Sequence, residues 1–126
     1  MIAQYFIQPD DRNHLIILRT EKSKFPIAYV RVSTPQFREL LRGSCEFVEH
    51  GAYCEEAKEE YRMIAEFFKS GKIDKVIIEP YVGAEKEFKI EAKPNEIRIE
   101  ESGITRRIYV RGKVITINPV LGISIS

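Results

Sequence analysis

The stretch IRIEESGITRRIYVRGKVITIN, residues 97–118, decides the fold. Strand-like runs cover Ile97 to Ile99, Ile104 to Val110 and Val114 to Ile117, and only Ser102-Gly103 and Gly112 punctuate the later breaks. Apolar residues recur in these runs with a period of two, the pattern of strands buried on one face. Gaps this short leave no room for a helical crossover, so consecutive strands must pair antiparallel as hairpins. Upstream, Phe88 to Ala92 and Val76 to Glu79 extend the pattern across Lys93-Pro94-Asn95 and Pro80 to Ala84. Downstream, Gly122-Ile123-Ser124-Ile125-Ser126 alternates and reads as a last edge strand.

Before Gly71 the period is helical. Ala57, Tyr61, Ile64, Ala65 and Phe68 fall on one side of a segment that Ser70-Gly71 closes, with Glu55 and Glu56 at its positive end. The opposite side carries Glu59, Glu60, Arg62, Glu66 and Lys69 and is solvated. Ser33-Thr34-Pro35 announces a shorter helix with Phe37, Leu40 and Leu41 on one side and Gly43 as its stop. Ahead of it, Ile2 to Ile7, Leu15 to Arg19 and Pro26 to Val32 are β-leaning runs divided by Pro9-Asp10-Asp11 and by Glu21-Lys22-Ser23-Lys24.

These elements predict an α+β fold over residues 1–126 as a single globular domain. Its three N-terminal strands and C-terminal meander form a largely antiparallel twisted sheet or half-barrel. A main helix over residues 54–70 packs across the concave face, with a short helix over 35–42. At 126 residues the chain is one domain long. It is expected to bury roughly two-thirds of its unfolded surface, enough for a core without staples.

Composition narrows the setting. The first residues lack a basic leader and no apolar stretch approaches a bilayer-spanning length, so neither a secretory signal nor a membrane role is expected, and a cytoplasmic protein is. Sixteen of the 19 acidic residues are Glu, the amides are few and Ile is abundant. This profile points to a thermostable protein of a hyperthermophilic archaeon or an archaeal virus.

The reactive side chains give little chemistry. Cys45-x4-His50-x3-Cys54, with Glu46 and Glu49 inside it, offers three ligands but lacks the fourth that zinc wants, so no metal is assigned. Free thiols are the first reading of Cys45 and Cys54; the alternative is a Cys45–Cys54 disulfide, which would tie the main helix to its preceding loop and with which the thermophile profile is compatible. Glu87-Phe88-Lys89 and Glu91-Ala92-Lys93 put a carboxylate and an amine on one strand face, as metal-dependent nucleases do, but read as an ion-paired outer face. No phosphate-cradling glycine loop, nucleophile elbow or zinc-protease motif occurs. No catalytic residue and no cofactor are therefore expected.

Charge is organised more than its total of +1 suggests. Residues 102–126 carry Arg106, Arg107, Arg111 and Lys113 and no acid, a net +4. Residues 46–66 carry seven glutamates against Lys58 and Arg62, a net −5. On the strand ending at Arg111, a period of two groups Arg107, Tyr109 and Arg111 opposite Ile104, Ile108 and Val110; on 26–32 it groups Tyr29 with Arg31. An aromatic between guanidinium groups is what unpaired bases stack on, so these residues with Arg106 and Lys113 are the candidates for a single-stranded nucleic-acid site. The competing expectation is a binding or assembly protein, homo-oligomeric through its opposite charges or its alternating tail.

Overall fold

In the computed structural model, which describes residues 1–45 and 54–126, the strands divide into two sheets. The first holds β1 (Ile2–Ile7), β2 (His14–Arg19), β3 (Ala28–Val32), β4 (Lys75–Pro80) and β5 (Ile90–Ala92) in the order β3-β2-β1-β4-β5. The second is the meander β6 (Ile97–Ser102), β7 (Thr105–Val110), β8 (Lys113–Asn118) and β9 (Gly122–Ile125). Between β3 and β4 run α1 (Thr34–Leu41) and α2 (Glu55–Lys69). The α+β class, the N-terminal strands, the meander and both helices stand as expected.

Three details differ. The strands form two sheets rather than one: β4 and β5 join the N-terminal strands, and only β6 to β9 stand apart. β4 also pairs with β1 in parallel, from Ile2 opposite Lys75 to Ile7 opposite Pro80, because the two helices between β3 and β4 supply the long crossover that parallel pairing requires. And Ile104 is not on the strand: Gly103-Ile104 form the β6–β7 turn, with Gly103 at φ +59° and Ile104 60% exposed. The β7–β8 hairpin turns through Arg111 and Gly112, both left-handed at φ +49° and +77°, the pattern of a type I′ loop.

Alternation sends Ala3, Tyr5, Ile7, Ile16, Leu18, Val30, Val76 and Ile78 into one core with Phe37 and Leu40 of α1, with Tyr61, Ile64, Ala65 and Phe68 of α2, and with Ile99, Ile108, Val110, Ile115 and Ile117 of the second sheet. Tyr5 and Phe37 stack with ring centres 3.7 Å apart. Both helices and the meander thus cover the same face of the first sheet. Ser33 caps α1 through Gln36 in a reciprocal capping box.

Two predictions follow from this packing. Phe68 is buried, so Phe68→Ala should cost roughly 3–5 kcal/mol in denaturant unfolding, while the exposed Glu59→Ala should stay within about 0.5 kcal/mol. Gly43 and Gly71 share a φ of +72°, yet a Cβ on Gly43 would lie 2.5 Å from Lys69 Cβ and 2.7 Å from its Cα, whereas one on Gly71 meets open space. Gly71→Ala should therefore show only the conformational cost of about 1–2 kcal/mol, and Gly43→Ala distinctly more. Equal losses would mean that the two helix ends separate without resistance.

Candidate binding surfaces

The seven aromatic and basic candidates do not form one site. Tyr29 and Arg31 sit side by side on β3, both exposed, with Val30 between them turned into the core. Because β3 is an edge strand, its outer backbone groups need cover, and α2 provides it: the Tyr29 N–H donates to Glu60 Oε2 at 2.9 Å. Leu15, Tyr29, Val30 and Arg31 line a groove of about 470 Å³ with Glu56, Ala57 and Glu60, so carboxylates flank this aromatic–arginine pair.

In the second sheet, Arg107 and Tyr109 share the outer face of β7, opposite Glu100 and Arg98 of β6. The Arg98 guanidinium lies 4.3 Å from the Tyr109 ring centre and occupies one stacking face. Arg111 belongs to the turn rather than to the strand face, which corrects its expected grouping, and its Nη1 reaches the Glu91 carbonyl at 3.4 Å. Tyr109, Arg111 and Lys113 do meet, lining a shallow hollow of about 310 Å³ with Arg98 and Glu96. Neither described groove combines this trio with Tyr29 and Arg31.

Arg106 takes the other side of β7. Its Nη1 donates to the Gly103 carbonyl at 2.6 Å and its Nε lies 3.4 Å from Asp11 Oδ2, in the β1–β2 loop. Asp11 is the hub of a half-buried polar cluster that joins the two sheets. Its Oδ1 accepts from the Thr34 N–H at 3.2 Å, from the Thr34 hydroxyl and from His14 Nε2 at 3.3 Å. His14 is fully buried, and its Nδ1 accepts the Gln8 N–H at 2.9 Å, which leaves the ring proton on Nε2, facing Asp11. Burial acts to raise the Asp11 carboxyl, but the bonds from His14 and Thr34 outweigh it and hold it below the ordinary carboxylate value. The Tyr5 hydroxyl nearby is buried, and burial, with the Asp11 charge, pushes it well above the ordinary phenol value against the opposing pull of Thr34. The cluster ties the β1–β2 loop to α1 and to β7 and serves as a structural clasp.

Cys45 and Cys54 are both free thiols, so the disulfide is not formed here. Glu46, Glu49 and His50 lie outside the described residues. Among the described residues no three metal-ligating side chains cluster, and no helix is long and apolar enough to cross a membrane.

A surface the strand-by-strand reading did not isolate is the other face of the first sheet. Register puts Ile2, Gln4 and Phe6 of β1 beside Arg19, Ile17 and Leu15 of β2, beside Tyr29 and Arg31 of β3, and beside Lys75, Ile77 and Glu79 of β4. Ile2 and Ile77 are 3% and 4% exposed yet stand outside the core cluster, as do the half-buried Phe6, Leu15 and Ile17. The helices and the meander pack on the opposite side, so the half-buried Phe6, Leu15 and Ile17 face outward, while Ile2 and Ile77 on the same face are already buried. The signal was present in Leu15-Ile16-Ile17-Leu18 and Val76-Ile77-Ile78, unbroken apolar runs that mark strands covered on both faces. Comparison with known protein families, curated proteins and solved structures finds no match for this chain.

The clasp predicts an acid response. A depressed native pKa contributes stability above the unfolded carboxylate value of about 3.9, and that stability is lost as pH falls through the native value. Asp11→Asn should cost roughly 1.5–3 kcal/mol at neutral pH. The gap to wild type should narrow on acidification below about pH 4 in a urea series; a gap constant with pH would remove Asp11 from this role.

Proposed function

We propose that the protein is a non-enzymatic binding and assembly protein whose working surface is the outer face of its five-stranded sheet. The observation that supports this most is that apolar residues occupy both faces of β1, β2 and β4 while the helices and the meander pack on one; on the other, Ile2 and Ile77 are buried and Phe6, Leu15 and Ile17 are half-buried. A half-buried strip of Phe6, Leu15 and Ile17 rimmed by Tyr29, Arg31, Arg19, Lys75 and Glu79 has the composition of a protein-docking surface: apolar at its centre, polar at its rim. Ile27, 47% exposed, and Tyr29, 59% exposed, extend it toward the β3 edge.

The hollow at Tyr109, Arg111 and Lys113 with Arg98 supports a second reading, a site for single-stranded nucleic acid. Three features weigh against it. Arg98 already stacks on Tyr109, and Arg106 is committed to Asp11. Tyr29 and Arg31 lie beside glutamates that repel phosphate.

The test compares neighbours on β2. On dilute protein, Ile17→Lys should change unfolding stability by no more than about 1 kcal/mol, because its half-buried side chain stands outside the core and can reach solvent, whereas Ile16→Ala should cost roughly 2–5 kcal/mol. Fluorescence anisotropy with single-stranded oligonucleotides at low salt should show no binding. A core-sized loss from Ile17→Lys would mean that the chain covers this face itself, and oligonucleotide binding abolished by Tyr109→Ala would establish the second reading instead.

A further inference from the structure

We infer that the occupant of this face is a second copy of the chain, docked face to face about a two-fold axis that runs parallel to the strands between β1 and β2. The inference rests on the proposed use of the face and adds its partner. Across the sheet, one register row reads Arg31, Leu15, Phe6, Glu79, from β3 through β2 and β1 to β4. Rotation by a half turn about the stated axis reverses this row and lays it over itself. Arg31 then meets the partner copy's Glu79, Leu15 meets Phe6, and each contact occurs twice, as a two-fold interface demands. In the next row Tyr29 falls over the position of Ile77, which is already buried in the monomer, and Ile17 over Gln4. Neither row places like charges together.

The end residues of the row are otherwise unmatched. Glu79 makes no ion pair among the described residues, and its Oε2 is buried without a hydrogen-bond partner, an arrangement that costs free energy until a cation arrives. The Arg31 guanidinium bonds to the Asn13 carbonyl at 3.0 Å and to no carboxylate of the described chain. Packed sheets cross at about 30°, which at roughly 7 Å from the axis offsets the facing strands by about 4 Å, within the reach of an arginine side chain. The four strands that overlap their two-fold mates, at about 4.8 Å spacing and about 20 Å length, present a footprint of roughly 400 Å² per copy, below the standard specific interface, so the dimer is a weak, reversible one.

Sedimentation equilibrium of the full chain over a concentration series tests this. The wild type should pass from the 14.6 kDa monomer toward twice that mass. Arg31→Glu and Glu79→Arg, each alone, should weaken association at least tenfold. An equimolar mixture of the two should restore it, because each two-fold contact then pairs Glu with Arg. Should Glu79→Arg not fold, Arg31→Cys mixed with Glu79→Cys, both with Cys45 and Cys54 replaced by serine, should give a disulfide-linked dimer on oxidation. A wild type monomeric throughout, or mixtures of folded variants that neither reassociate nor cross-link, would overturn the inference. Ile17→Lys separates the two levels. If it abolishes association while the mixtures fail, the face docks in another register; if association survives it, the face itself is not the interface.

Discussion

The pairing of β4 with β1 in parallel sets everything else in place. A chain that leaves β3 at one edge and must re-enter beside β1 running the same way has to cross over the sheet, and the crossover carries α1 and α2 onto one face. The meander then closes on that same side, where Asp11 holds Arg106 and where Arg38 of α1 meets Glu101 of β6 at 3.2 Å. A single core results, with all the layers stacked in one direction. The opposite face of the sheet is left to whatever the chain meets.

That asymmetry is expensive to leave bare. Burying an isoleucine or phenylalanine contributes roughly 1.5–3 kcal/mol, so Phe6, Leu15 and Ile17 forgo part of that gain while they face water. Polar residues at these positions would serve an isolated monomer at least as well, as they do at Gln4 and Arg19, whose side chains bond to each other at 2.8 Å on the same face. The apolar choice is what the proposed docking would use. By contrast, the second sheet shows how a face meant for solvent is furnished: Arg98 lies over Tyr109 and pairs with Glu100, and Arg107 stands opposite Glu100 across the β6–β7 ladder.

Much of the fold was legible because local chemistry agreed with the global result. Gly103 and Gly112 placed the hairpins, Ser33 and Pro35 started α1, and the spacing of Tyr61, Ile64, Ala65 and Phe68 chose the buried side of α2. The parallel register was not legible, since nothing in Lys75 to Pro80 says which earlier strand it will join. Arg106 and Arg111 were misgrouped for a related reason. Alternation alone assigned Arg111 to a face, but the type I′ turn takes it out of the strand, and the pull of Asp11, 95 positions earlier in the chain, is invisible to a period of two. The outer apolar strip was present in the runs Leu15–Leu18 and Val76–Ile78, but it became a surface only once register aligned the strands.

The account stands on the claim that successive residues of β2 meet different worlds, Ile16 and Leu18 in the core, Leu15 and Ile17 outside it. Methyl NMR with a soluble paramagnetic probe reads this directly. In dilute protein the Leu15 and Ile17 methyls should relax strongly while Ile16 and Leu18 stay shielded, and raising the protein concentration should shield the first pair without altering the second. Leu15 and Ile17 as shielded at dilution as Ile16 would contradict it.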